Sequence, residues 1–117
     1  MLSLPPSVRV FVHREGCDMR KGFYSLAALV RDAMKEDPLS GHLFVFFGRS
    51  RRSVKVLLWD RSGYCLWYKK LERGTFSAFD KMKSNEIDWG TLVLLLEGIE
   101  PRTVKRRPRF SLQKDAA

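Results

Sequence analysis

The chain has 117 residues, of which 44% are hydrophobic, with 22 Lys and Arg against 13 Asp and Glu, a net charge of +9 and two cysteines. A chain of this length suits one domain, which buries roughly two thirds of the surface its unfolded form exposes and needs no covalent staples. Two cysteines are too few for a disulfide framework, nothing reads as a secretory leader, and no apolar stretch approaches the roughly 18 residues of a membrane span. The expected setting is therefore the cytoplasm, with Cys17 and Cys65 as reduced thiols.

After Pro5 and Pro6, residues Val8 to His13 alternate Val8, Val10 and Val12 with Arg9, Phe11 and His13, the pattern of a half-buried strand. Asp18 is placed to cap a helix in which Phe23, Leu26, Ala27, Val30, Ala33 and Met34 recur at helical spacing, to about Glu36. Pro38 and Gly41 are the expected stop. Next come three strand-like segments, Leu43 to Phe47, Val54 to Trp59 and Tyr64 to Lys69. The first two are joined by the polar segment Gly48 to Ser53. The last two are joined by Asp60-Arg61-Ser62-Gly63, with aspartate first and glycine fourth as in a type I turn, so the three form an antiparallel meander. Their apolar residues fall on both faces, so the sheet must be covered on both sides or curl around its own core. Thr75 to Asn85 has no clear period and reads as an irregular crossing. Asp88 can cap a short helix, Trp89 to Glu97, in which Leu92, Val93, Leu95 and Leu96 pack inward and Gly98 marks the end. The fold class is α+β: residues 1–101 form the domain and 102–117 a basic tail expected to be disordered in isolation.

The charge is unevenly spread. From Arg102 onward six basic residues face one acid, so +5 of the +9 lies in the tail. Lys105, Arg106, Arg107 and Arg109 form an arm that either follows a phosphate backbone or is simply a solvated terminus. Arg49, Arg51, Arg52 and Lys55 lie at or beside one tip of the meander. Antiparallel pairing brings Lys69, Lys70 and Arg73 to the same end, giving one basic rim able to neutralise several phosphates; the competing reading is charge for solubility alone. Arg20 and Lys21, in the expected first turn of the long helix, oppose its dipole. With Gly22 and free amides they suit a phosphate or partner, or are solvated. Trp59, Tyr64, Trp67 and Tyr68 lie on strands beside these cations; core or cross-strand pairing is favoured over base stacking.

Catalytic signals are thin. His13, Cys17, His42 and Cys65 lack the spacing of a metal site, no phosphate-binding glycine loop occurs, and most carboxylates are accounted for by caps and turns. No metal, cofactor or enzyme activity is expected.

Asp18-Met19-Arg20-Lys21-Gly22-Phe23 with Leu26-Ala27, then Pro38-Leu39-Ser40-Gly41-His42-Leu43-Phe44-Val45-Phe46, then the unbroken block from Lys55 to Phe76 and the closing Leu95-Leu96-Glu97-Gly98-Ile99 resemble the TnpB accessory proteins of insertion sequences of the 66 family. The likeness runs from about residue 4 to residue 99. It implies a non-catalytic protein encoded beside a separate transposase, which holds the acidic catalytic triad, and needed for efficient transposition. The implied partners are DNA and that transposase, with no membrane. DNA binding through the rim, Arg20, Lys21 and the tail is the leading expectation, set against an adaptor that docks on the transposase without touching DNA. A small nuclease is the third possibility.

Overall fold

A computed structural model describes residues 7–76, 79 and 84–97. Their elements run β1 (Val10–Cys17), α1 (Phe23–Asp32), β2 (Leu43–Gly48), β3 (Ser53–Trp59), β4 (Tyr64–Lys70), β5 (Glu86–Ile87) and α2 (Trp89–Leu96), an α+β arrangement. The strands make one sheet in the order β4-β3-β2-β1-β5. β2, β3 and β4 form the expected antiparallel meander. β1 lies parallel to β2, and α1 is the crossover that parallel neighbours require; β5 pairs antiparallel with the outer side of β1.

The two-faced strands are covered on both sides. Val45, Phe47, Val54 and Val56, with Val10 and Val12 of β1, face Phe76, Phe79 and the α2 residues Leu92 and Leu95. Phe44, Phe46, Leu57 and Phe11 face Leu26, Ala27 and Val30 of α1. The result is three layers with the sheet in the middle. Asp88 caps α2 as expected, its carboxylate accepting from the Thr91 amide at 2.7 Å. Both cysteines are free thiols, Cys17 buried and Cys65 exposed.

Several expectations need correction. β1 starts at Val10 and continues to Cys17, and Phe11 is buried along with the valines, because β1 is an interior strand with α1 over its second face. Helix α1 begins at Phe23 and ends at Asp32, well before Pro38. Met34 N-H donates to the Leu29 carbonyl and Glu36 N-H to that of Val30, while Lys35 turns into the left-handed region with φ 59°. The chain therefore unwinds without proline or glycine. Asp18 does not cap α1: the N-cap is Gly22, with no side-chain cap, and Phe23 is partly exposed. The Asp60 to Gly63 turn is not type I, since Arg61 has φ 56°. A two-residue hairpin loop must match the right-handed twist of its strands, which favours positive φ there. The short strand β5 was not apparent in the sequence. Residues 77, 78 and 80–83 of the irregular crossing, Gly98 and the whole basic tail lie outside the described residues.

One irregularity shapes the end of β1. His13 pairs with Phe46 but Cys17 with Gly48, so β1 advances four residues while β2 advances two. The bulge turns the end of β1 toward the β2–β3 tip. There Gly16 passes so close that a Cβ would stand 2.8 Å from Arg49 Cα. That neighbour is backbone and cannot step aside cheaply. Gly16→Ala is expected to cost roughly 1–3 kcal/mol as an overpacking change, read from urea denaturation; a variant with the wild-type midpoint would contradict the close approach.

Candidate nucleic-acid interface

Parallel pairing sends the ends of β1 and β2 to the same end of the sheet, and the antiparallel meander returns β4 there as well. Three connections therefore meet at one end: residues 18–22 before α1, the tip 49–52, and residues 71–75 after β4. Backbone hydrogen bonds fasten the last two together, Leu71 N-H to the Arg52 carbonyl at 2.8 Å and Phe76 N-H to the Arg51 carbonyl at 2.6 Å. The rim expected from the meander and the separate candidate at Arg20 and Lys21 thus belong to one surface.

The cations at this end divide into two kinds. Lys55 is 7% exposed. It alternates to the α1 face of β3, and its Nζ donates to the Met19 carbonyl at 2.7 Å and the Lys21 carbonyl at 2.9 Å. It fixes the 18–22 loop from beneath, so the expectation that it lies on the open rim is corrected. Arg51 is half-buried and donates through Nη2 to the Arg14 carbonyl at 3.1 Å, inside the β1 bulge where the sheet ladder is interrupted. Lys69, on the other face of β4, donates to the Leu96 carbonyl at 2.8 Å and so satisfies an end of α2. These three serve the fold.

Arg49, Arg52, Lys70 and Arg73 are exposed, and Lys21 is partly so. Arg52 reaches the Glu72 carbonyl at 3.3 Å. Among the described residues none of these five has a carboxylate ion partner; the ion pairs are Arg9–Glu86, Arg20–Asp18 and Arg31–Asp32. Arg20 is therefore the one candidate cation, among the described residues, with an acid beside it. Its guanidinium meets the Asp18 carboxylate at 2.8 Å while remaining 91% exposed. It also precedes α1, so the helix-dipole argument for Arg20 and Lys21 lapses. Lys105, Arg106, Arg107 and Arg109 lie outside the described residues.

An open groove of about 760 Å³ runs across this end. Asp18 and Met19 form one wall, Arg49 and Arg52 another, and Tyr68 and Lys70 the side at β4; Glu72 also borders it. Tyr68 is 52% exposed, more than the core or cross-strand reading allowed, because β4 is an edge strand. Trp67 is likewise partly exposed, whereas Trp59 and Tyr64 do form a cross-strand pair, their rings 5.1 Å apart. Tyr68, named from the sequence among aromatics beside the cations with core or cross-strand pairing favoured, thus borders the groove; what the sequence did not show was that β4 ends the sheet among the described residues and leaves this ring exposed.

The electrostatics fit a cationic surface. Burial pushes the Cys17 thiol up, while nearby Lys21, Arg49 and Lys55 pull it down. Hydrogen bonds donated by the Arg20 guanidinium and by the Arg20 backbone N-H hold the Asp18 carboxyl well below the usual carboxylate range. A carboxyl depressed in the folded state stabilises the fold above its unfolded pKa of about 4, and that contribution fades as pH falls below it. The stability gap between the wild type and Asp18→Asn is thus expected to be present at neutral pH and to shrink in acid. Thermal melts across that range check this, and a gap independent of pH would remove the pairing.

A family model described as IS66 Orf2 like protein matches residues 8–106, a span that takes in the entire basic end. An uncharacterized protein of Sinorhizobium fredii (strain NBRC 101917 / NGR234), y4hO, is 47% identical over 76 residues, 65% of this chain and 66% of the relative. A second uncharacterized protein of the same strain, y4jC, is 33% identical over 110 residues, 92% of this chain and 93% of the relative. No solved structure matches.

Proposed function

The chain belongs to the family of IS66 Orf2-like proteins, which gives it an accessory role associated with transposition, and on that premise we propose that it is a non-catalytic protein that holds DNA against the basic end of its sheet. The observation that carries the reading is the convergence of Lys21, Arg49, Arg52, Lys70 and Arg73 on one end, without acidic ion partners among the described residues. A surface of this kind grips phosphates by charge and releases their counterions, with little readout of bases. The basic arm Lys105, Arg106, Arg107 and Arg109 adds reach to the same polyanion. The non-catalytic part draws support from three of the described carboxylates, Asp18 and Glu86 being occupied by arginines and Asp88 by a helix amide, and from the lack, among the described residues, of any group of three acidic, His or Cys side chains placed to hold a metal. The transposase of the same element is the second partner, supplying the cutting and joining chemistry.

A purely adaptor role has one observation in its favour, the exposure of Phe23 and Tyr24 at the start of α1. The two readings part in a salt titration. For DNA gripped by this surface, the logarithm of the association constant falls linearly with the logarithm of salt concentration, by roughly 0.9 per phosphate neutralised on duplex DNA. Replacing Arg49, Arg52 and Lys70 together by serine is expected to make that slope shallower by about 2 to 3, as measured by fluorescence anisotropy. An unchanged slope would clear this surface of phosphate contact, and absence of DNA binding at low salt would leave the adaptor.

A further inference from the structure

The groove at the basic end has a feature that phosphate binding alone does not use. Tyr68 projects to the α1 side of β4, across from Lys55 in the register of the sheet. The Lys55 ammonium lies 4.8 Å from the centre of its ring, which places the cation over one face. Lys55 is itself fixed by two backbone carbonyls, so the ring rests on an anchored support. Half of the Tyr68 side chain nonetheless remains open, and it opens into a groove edged by Arg49, Arg52 and Lys70. Among the described residues β4 is the edge strand of the sheet, and no further strand covers it.

An aromatic ring with a cation over one face, half exposed and bordering a groove that also holds Arg49, Arg52 and Lys70 offers both parts that an unpaired nucleotide needs. A base stacks on the free face, and the phosphates on either side of it meet the guanidinium and ammonium groups. A duplex cannot present a base this way, since its bases are stacked on one another. We propose that this groove binds single-stranded DNA, with one unpaired base stacked on Tyr68 and its neighbouring phosphates on Arg49, Arg52 and Lys70. This rests on the DNA-binding reading above and narrows it to a strand form. Trp67, the adjacent exposed aromatic, points to the opposite face of the sheet and takes no part.

The test separates base stacking from charge. Full-length protein is titrated at low salt with oligothymidylate and with an abasic oligonucleotide of the same length and charge. The wild type is expected to prefer oligothymidylate by roughly 5- to 150-fold, the range for one stacked base. Tyr68→Ala should bring the ratio close to one, while Tyr68→Phe, which keeps the ring, and Trp67→Ala should both preserve it. Equal affinity of the wild type for the two oligonucleotides overturns the stacking site, and so does a preference that survives in Tyr68→Ala. If both oligonucleotides bind with a steep salt dependence in those cases, electrostatic DNA binding stands without the stacking site. If neither binds at low salt, both readings fall together.

Discussion

The constraint on which the structure depends is that β2 has no polar face. Leu43 to Gly48 is buried from end to end, so both sides of the sheet must be covered. A strand of this kind, with Phe44 and Phe46 on one side and Val45 and Phe47 on the other, forgoes on the order of 1.5–3 kcal/mol per large side chain left in water. Helix α1 takes one face, and α2 with Phe76 and Phe79 takes the other. Once both faces are occupied, charged groups stay hydrated on the outer sides of the covering helices and at the ends and edges of the sheet, and at one of those ends Arg49, Arg52, Lys70 and Arg73 gather.

Within that end, the same residue types serve two purposes, and local hydrogen bonding decides which. Burying an ammonium costs several kcal/mol, and hydrogen bonds to a charged donor offset about 1.5–3 kcal/mol each. Lys55 meets this condition with two carbonyls, and it thereby fixes the loop that carries Arg20 and Lys21. Arg51 satisfies a carbonyl left by the β1 bulge, and Lys69 one at the end of α2. The remaining cations are supported by this internal set without being consumed by it. A surface built this way is hydrogen-bonded underneath and charged on top, which suits a ligand defined by regularly spaced negative charges.

Much of this was legible in the sequence, and the failures have identifiable physical causes. The meander was readable because β2 and β3 are apolar runs bounded by polar turns, and α2 because Asp88 precedes a leucine-rich turn. The length of α1 was overestimated because apolar spacing continues through Ala33 and Met34, whereas Lys35 takes a left-handed conformation that no glycine announces. β5 has two residues, too few for any periodic signal. The clustering of basic residues on the rim was visible from strand pairing alone. Which of them were internal was not, because the partners of Lys55, Arg51 and Lys69 are backbone carbonyls distant in sequence. Lys55 did leave a trace, as a lone charge within a strand whose other residues are almost all apolar. The parallel placement of β1, which brings Arg20 and Lys21 into the same surface, depends on α1 acting as a crossover.

Membership in a transposition-associated family, the end-on gathering of cations and the groove beside Tyr68 are the grounds of one account, in which the end of the sheet that carries Lys21, Arg49, Arg52, Lys70 and Arg73 is the surface proposed to hold DNA. The most direct measurement is the map of backbone amide chemical shifts on adding a short single-stranded DNA. The account places the perturbed amides at residues 18–22, 49–53 and 68–73. Shifts concentrated instead at the opposite end, around Ser40 to His42 and Asp60 to Gly63, or an unchanged spectrum at low salt, would contradict it.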